Sequence, residues 1–202
     1  FEYYLELLKG IKEVKPEMHI QAFTCVEIAH LAELAGKSIE KTLETLRDAG
    51  LGSLPGGGAE VFSPRIRQIT CEKKISGQKW LEIAKTAHRL GFNTNATMLY
   101  GHIETIDERL EHLTALREAQ DETGGFLAFI PLAFHPKNTK MSDISRTTGM
   151  TDLKNIAVSR LMLDNFPHIK AYWVMIGPKM AQLSLSFGAD DMDGTVKEEV
   201  IT

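Results

Sequence analysis

Apolar residues recur along the chain at helical spacing in some stretches and as short continuous runs in others, and the two alternate. Tyr4, Leu5, Leu8 and Ile11 share one helical face that Pro16 stops. His19–Thr24 (HIQAFT) has the length and composition of a short buried strand. Ile28, Leu31, Ala32 and Ala35 form the next stripe, ended by Gly36. Ser38 then N-caps a helix carrying Ile39, Leu43 and Leu46, with Gly50 as its stop. Leu51–Leu54 is a second strand and runs into Pro55-Gly56-Gly57-Gly58.

The unit repeats downstream. Trp80, Leu81, Ala84 and Ala87 line a helix closed by Gly91, and Phe92–Tyr100 (FNTNATMLY) is the strand after it. Thr105 with Glu108 makes a capping box, heading a helix expected to bury Ile106, Leu110, Leu113 and Leu116. Phe126–Ile130 reads as a strand interrupted by Pro131. Thr151 opens a helix with Leu153, Ile156, Ala157 and Leu161, and Ala171–Ile176 (AYWVMI) is the last strand. Pro178 suits the first position of a final helix ended by Gly188. Strands alternating with helices, without hairpin signals, predict an α/β fold with a parallel sheet. The sheet can close as a doubly wound layer or as a (β/α)₈ barrel, and five strands starting inside a helix fit the later part of a barrel.

Composition narrows the classes of function. The chain is 43% hydrophobic and 25% charged, with a net charge of −4, which is ordinary for a globular domain. That balance gives no electrostatic footprint for nucleic acid or an anionic membrane, and no apolar run reaches the roughly 18 residues of a membrane span. The two cysteines, Cys25 and Cys71, are expected to be reduced thiols in a cytoplasmic protein.

In either closure ligands collect where strands end at their carboxyl side, so the loops there carry the candidate chemistry. Gly56, Gly57 and Gly58 let the backbone approach a ligand and present N–H groups, or they simply form a tight turn. Glu60 beyond them favours an amine or hydroxyl over a phosphate. Asn93, Asn95 and Thr97 share one face of their strand, where buried amides need partners from a ligand or from neighbouring strands. His102 and Glu104 permit acid–base or metal chemistry, or are a loop histidine and an acidic first-turn residue. His135, stiffened by Pro136, and Asn138 could grip a carboxylate or ribose. Arg65 and Arg67 could serve an anionic substrate or be solvated loop charges. Arg160 and Asp164 are spaced for an internal salt bridge.

Four segments together resemble one family closely: Ser53–Gln68 (SLPGGGAEVFSPRIRQ), Thr94–Thr105 (TNATMLYGHIET), Gln120–Thr139 (QDETGGFLAFIPLAFHPKNT) and Phe187–Thr195 (FGADDMDGT). The chain is similar along essentially its whole length to the aminofutalosine synthase family, radical S-adenosylmethionine enzymes of the futalosine route to menaquinone. Dehypoxanthine futalosine cyclase and the FO synthase subunits are the nearby alternatives. Tyr100-Gly101-His102 and Phe134-His135-Pro136 resemble the synthase version, whereas the cyclase tends to have Phe-Gly and Phe-Gln-Pro there.

The resemblance implies a radical SAM (β/α)₈ barrel holding a [4Fe–4S] cluster and S-adenosylmethionine, with an electron donor for the cluster as partner. It implies addition of the 5′-deoxyadenosyl radical to 3-[(1-carboxyvinyl)oxy]benzoate, giving 6-amino-6-deoxyfutalosine. By the same resemblance Gly56, Gly57, Gly58, Glu60, Asn95 and Thr97 bind the cofactor. His102, Glu104, His135, Asn138 and Arg65 bind the small-molecule substrate. No residue is singled out as catalytic.

One departure is large. The family's C-x-x-x-C-x-x-C loop is not in this sequence, and two distant cysteines do not replace it. The expectation is therefore a single domain over 1–202, the C-terminal portion of a barrel truncated at both ends, inactive on its own and without metal ligands. Two other classes stay open: a metal-dependent barrel hydrolase using His102, Glu104 and His135, and a non-catalytic binding module.

Overall fold

The computed structural model describes residues 1–194. Thr195, the last residue of the fourth motif segment, lies outside them. The strands are β1 (Ser53–Leu54), β2 (Asn93–Tyr100), β3 (Phe126–Ala133), β4 (His168–Ala171) and β5 (Asp191–Met192). The helices are α1 (Glu2–Val14), α2 (Cys25–Ala35), α3 (Ile39–Asp48), α4 (Pro64–Thr70), α5 (Gly77–Arg89), α6 (Ile106–Thr123), α7 (Gly149–Met162), α8 (Trp173–Ile176) and α9 (Pro178–Ser184). All strand pairs among the described residues are parallel, in the order β1-β2-β3-β4-β5. A doubly wound sheet reverses its strand order at a switch point. This order never reverses, so the sheet is a rolled segment of a (β/α) barrel.

The two faces of the sheet differ as a barrel requires. Thr94, Ala96, Met98 and Tyr100 of β2 are all buried against the helical layer, with Trp80, Leu113, Leu116 and Phe129 in the same core. The alternate residues, Asn93, Asn95, Thr97 and Leu99, face the inside. Register places Asn95 beside Ala128, Thr97 beside Ile130 and Leu99 beside Leu132. Asn93 is exposed, and Asn95, Leu99, Ile130 and Leu132 are only partly covered.

Caps and stops follow the sequence. Thr105 and Glu108 form the capping box of α6, Ser38 caps α3, and Gly36 ends α2 in the left-handed conformation. Several boundaries do not. In His19–Thr24 only Gln21 forms a bridge, parallel to Ser53, because Phe23 adopts a φ of 61° and Thr24 already caps α2. The run Ala171–Ile176 is the end of β4 followed by α8, a short apolar run being ambiguous between strand and helix. The polar alternation of His168 and Lys170 on the inner face hid the true strand. Pro131 does not interrupt β3, which continues to Ala133. Thr148, not Thr151, caps α7.

Ile106 and Leu161 are exposed rather than packed. The spacing of Arg160 and Asp164 also misled: Arg160 reaches Asp190 at 2.8 Å, tying α7 to the start of β5, while Asp164 pairs with Arg117. Helix α4 and strand β5 were not legible at all.

Candidate active site

The glycine turn after β1 is built against β2. A Cβ on Gly56 would lie 2.8 Å from the main chain of Asn95 and Ala96, so only glycine lets the turn lie on that strand. The Thr97 hydroxyl donates to the Gly56 carbonyl at 2.7 Å, and the Trp80 indole donates to that of Gly57 at 3.1 Å. Arg67, nearly fully buried, donates to the carbonyls of Ala59 at 2.6 Å and Ile75 at 2.9 Å. The carbonyls of the turn are thus turned into the protein. The N–H groups of Gly57, Gly58 and Glu60 meet no acceptor among the described residues. Glu60, itself at a φ of 52°, is ion-paired with Lys74 at 2.7 Å. Beside the turn, the side-chain amide of Asn95 has no hydrogen-bond partner among the described residues.

The loop after β2 is organised by a buried carboxylate. Glu104 accepts from the N–H groups of Gly101 at 2.6 Å and His102 at 2.9 Å, and from Arg109 Nε at 2.8 Å. Its side chain is fully buried, so its charge depends on those donors. His102 is buried too. Its Nε2–H donates to the Leu99 carbonyl at 3.0 Å, and its Nδ1 accepts from the Ile103 N–H at 2.7 Å. Below the loop, the Tyr100 hydroxyl donates to Asp152 at 2.8 Å, and burial pushes that phenol's pKa far up.

The long loop 134–148 after β3 borders a cavity of about 380 Å³ with Leu99, His135, Asn138, Arg146 and Met175 on its wall. Asn138 is exposed and left-handed, at a φ of 63°. His135 Nε2–H donates to the Met175 carbonyl at 2.8 Å, which leaves Nδ1 as acceptor for Arg146 Nη2, also at 2.8 Å. A Cβ on Gly101 would strike Thr147 at 2.2 Å, so this glycine lets the tail of the loop lie against the β2 turn.

The tertiary structure therefore sorts the sequence candidates into groups. Gly56, Gly57, Gly58, Glu60, Asn95 and Thr97 surround the turn at β1 and β2. His135 and Asn138 meet at the cavity beyond β3, with Leu99 joining them to the buried His102 and Glu104. Arg65 lies outside both: it donates to Glu108 at 2.6 Å and to the Ile103 carbonyl at 2.9 Å. Arg67 is not the solvated charge that remained open in the sequence, whereas Arg65 is an exposed charge on α4, held by Glu108. Arg146 was missed, its sole sequence signal being its place in a long loop after a strand.

The residues fit one of the two implied groups. A turn with unpartnered N–H donors beside an open amide suits a polar nucleoside ligand such as S-adenosylmethionine. An iron–sulfur cluster does not fit. Cys25 is buried in the core with its thiol pKa pushed far up by desolvation, Cys71 lies beyond α4, and no cluster of three or more metal-ligating side chains exists among the described residues. His102, Glu104 and His135 form no such group either.

Fold and site define a segment of a parallel (β/α) barrel whose carboxyl-end loops form a polar mouth. The chain belongs to the Radical SAM superfamily, whose model matches residues 1–116. Residues 123–202 match the CofH/MqnC C-terminal region. Aminodeoxyfutalosine synthase of Thermus thermophilus is 51% identical over 100% of this chain and 55% of its own length. The Streptomyces coelicolor protein of that name is 45% identical, covering 100% of this chain and 55% of that protein. A 5-amino-6-(D-ribitylamino)uracil–L-tyrosine 4-hydroxyphenyl transferase of Methanosarcina barkeri is 42% identical over 100% of this chain and 54% of that protein. The chain spans about half the length of these relatives. Methylornithine synthase (PylB) shares the fold, with a TM-score of 0.69 at 18% identity over 95% of this chain and 51% of that one.

Proposed function

We propose that this chain is the substrate-binding and S-adenosylmethionine-binding part of an aminofutalosine synthase. In the reaction proposed for the whole enzyme, the S–C bond of S-adenosylmethionine breaks to release methionine, the adenosyl carbon joins 3-[(1-carboxyvinyl)oxy]benzoate, and rearrangement with loss of one carboxylate as bicarbonate or CO₂ ends in 6-amino-6-deoxyfutalosine. The observation that carries the reading is the 51% identity to the Thermus synthase across the full chain, against 42% to the Methanosarcina transferase. The motifs Tyr100-Gly101-His102 and Phe134-His135-Pro136 support the same choice.

When bound, S-adenosylmethionine supplies the adenosyl group. The chain's own residues do the holding. The free N–H groups of Gly57 and Gly58 and the amide of Asn95 take its polar atoms, with Glu60 for its ammonium. Thr97 acts by fixing the turn through Gly56. His135 and Asn138 stand at the substrate's end of the mouth, and Glu104 and His102 keep the intervening loop in place. Leu99, Ile130 and Leu132 give that interior an apolar wall that sheds water from a reactive centre. The cluster ligands belong to the part of the enzyme outside this chain and the electron donor is a separate partner, so this chain alone is inactive.

The test is turnover by the reconstituted full-length protein, read by mass spectrometry. S-adenosylmethionine with the enol ether should give 6-amino-6-deoxyfutalosine. Transfer from L-tyrosine to a ribitylaminouracil, or cyclisation of dehypoxanthine futalosine, would instead assign a sister activity. No helix of the described residues is long and apolar enough to cross a membrane. The setting proposed for the enzyme is cytoplasmic.

A further inference from the structure

Seven of the eight arginines in the chain have their guanidinium accounted for by carboxylates or by main-chain carbonyls. Arg47, Arg65, Arg89, Arg109, Arg117 and Arg160 each pair with an Asp or Glu, and Arg67 is enclosed by carbonyls. Arg146 differs. Its sole hydrogen-bond partner among the described residues is a neutral acceptor, His135 Nδ1, at 2.8 Å. One nitrogen of its guanidinium is thereby held and the rest of the donor fork is left over.

The fork is also aimed. His135 cannot rotate without losing the 2.8 Å bond from its Nε2 to the Met175 carbonyl, so it acts as a fixed bracket between α8 and Arg146. Thr147, the next residue, is seated against Gly101. Two neighbouring cavities, of about 380 and 180 Å³, share Phe134, His135, Arg146 and Met175 as common wall. Lys137 adds a second cation at the larger one, without a carboxylate partner among the described residues. A planar, always-charged fork fixed at one nitrogen is the geometry that binds a carboxylate through two parallel hydrogen bonds.

We propose that Arg146 is the residue that binds a carboxylate of the substrate, with His135 as its positioning residue rather than a direct ligand. Arg146 selects organic acids over neutral or cationic molecules at the mouth beyond β3. The choice of a dicarboxylate as its ligand rests on the function proposed above; the existence of a carboxylate subsite rests on the geometry of Arg146 alone.

The experiment is calorimetric binding to the full-length protein of 3-(carboxymethoxy)benzoate, an unreactive diacid, and of its two half-esters. Arg146→Gln should weaken diacid binding by about 10- to 100-fold, and Arg146→Lys, which keeps the charge without the fork, by less. One half-ester should bind Arg146→Gln and the unsubstituted protein equally. His135→Phe should lose most of the same affinity but nothing further when combined with Arg146→Gln, and His135→Asn, which restores an acceptor near Nδ1, should recover part of it. Equal diacid affinity in Arg146→Gln and the unsubstituted protein overturns the inference while leaving the proposed reaction standing. Failure to bind the diacid, together with Arg146-dependent binding of L-tyrosine, overturns the proposed substrate and keeps the carboxylate subsite. Binding of neither acid removes the subsite. Turnover of the enol ether, measured in parallel, reports on the proposed reaction independently.

Discussion

The Nε2 of His112 lies 3.0 Å from the main-chain carbonyl of Thr97, the residue whose hydroxyl holds Gly56. His112 Nδ1 in turn accepts from the Phe62 N–H at 3.2 Å, and its ring stacks on Phe62 with centroids 4.0 Å apart. A single buried imidazole on α6 therefore joins the central strand to the segment that follows the glycine turn. It does so only when neutral, with one nitrogen donating and the other accepting.

That requirement predicts an acid-sensitive fold. Burial depresses His112 to about 3, and desolvation with the nearby Arg89 charge depresses His88 to about 4, from an ordinary 6.5. Below pH 6.5 the unfolded chain binds protons that the folded chain refuses, so stability is full above 6.5. It falls as pH drops towards 4 and 3. At pH 4.5 the loss is of the order of 2–3 kcal/mol per histidine. Urea midpoints at pH 7.5 and 4.5 check this, and His112→Gln should flatten part of the slope. An unchanged midpoint would contradict the neutral state.

Gly56→Ala should be far worse than Gly57→Ala. A Cβ at Gly56 meets main chain at 2.8 Å, whereas at Gly57 it meets a Thr24 methyl at 3.1 Å. Overpacking against backbone costs about 1–3 kcal/mol, and a flexible side chain yields at less. Thermal unfolding of the two variants gives the comparison.

Removing the buried loop carboxylate should be costly. Glu104→Ala frees the N–H groups of Gly101 and His102 and leaves Arg109 uncompensated, for an expected loss of about 3–5 kcal/mol. Amide exchange at Gly101 and His102 should rise with it. Protection unchanged at those two amides would show that another acceptor holds the loop.

Tyr100→Phe removes the hydroxyl that donates to Asp152 and leaves a buried carboxylate short of a partner. About 1–3 kcal/mol of stability should be lost. Tyr100→Phe combined with Asp152→Asn should recover part of it, because the neutral amide needs less compensation. The double-mutant cycle by chemical denaturation reads the coupling.

The two thiols should react differently. Cys71 is partly exposed and Cys25 is wholly buried at the start of α2. A thiol reagent should modify Cys71 in the native protein and Cys25 only on unfolding, as mass spectrometry of timed samples would show.

Much of the layout was legible because it is local. Thr105 with Glu108, Ser38 and Gly36 act through bonds within a few residues of themselves, so their spacing suffices to place the ends of helices. The inward face of Asn95 and Thr97 follows from the two-residue period of a strand. The errors fall where distant contacts decide. The strand at His168–Ala171 is defined by its pairing with Ala128 and Phe129, and Asp191–Met192 by its pairing with Lys170 and Ala171. Neither partner is near in sequence.

The candidate site divides in the same way. Its glycines, histidines and the family motifs stand in the sequence, and the carboxyl-end rule already says which loops matter. What those residues bond to is not written there. Glu104 is spent on amides and Arg109, Arg65 on Glu108, and Arg160 on Asp190 rather than on Asp164 one turn away. The sequence alone determined the alternating α/β pattern, the polar inner face and the inventory of charged groups, because each depends on residue type and short spacing. Only the tertiary structure decided which charges neutralise one another and which remains open. Arg146 keeps a free fork because loop packing delivers it to a histidine and not to a carboxylate, and that pairing depends on contacts between residues brought together by the fold.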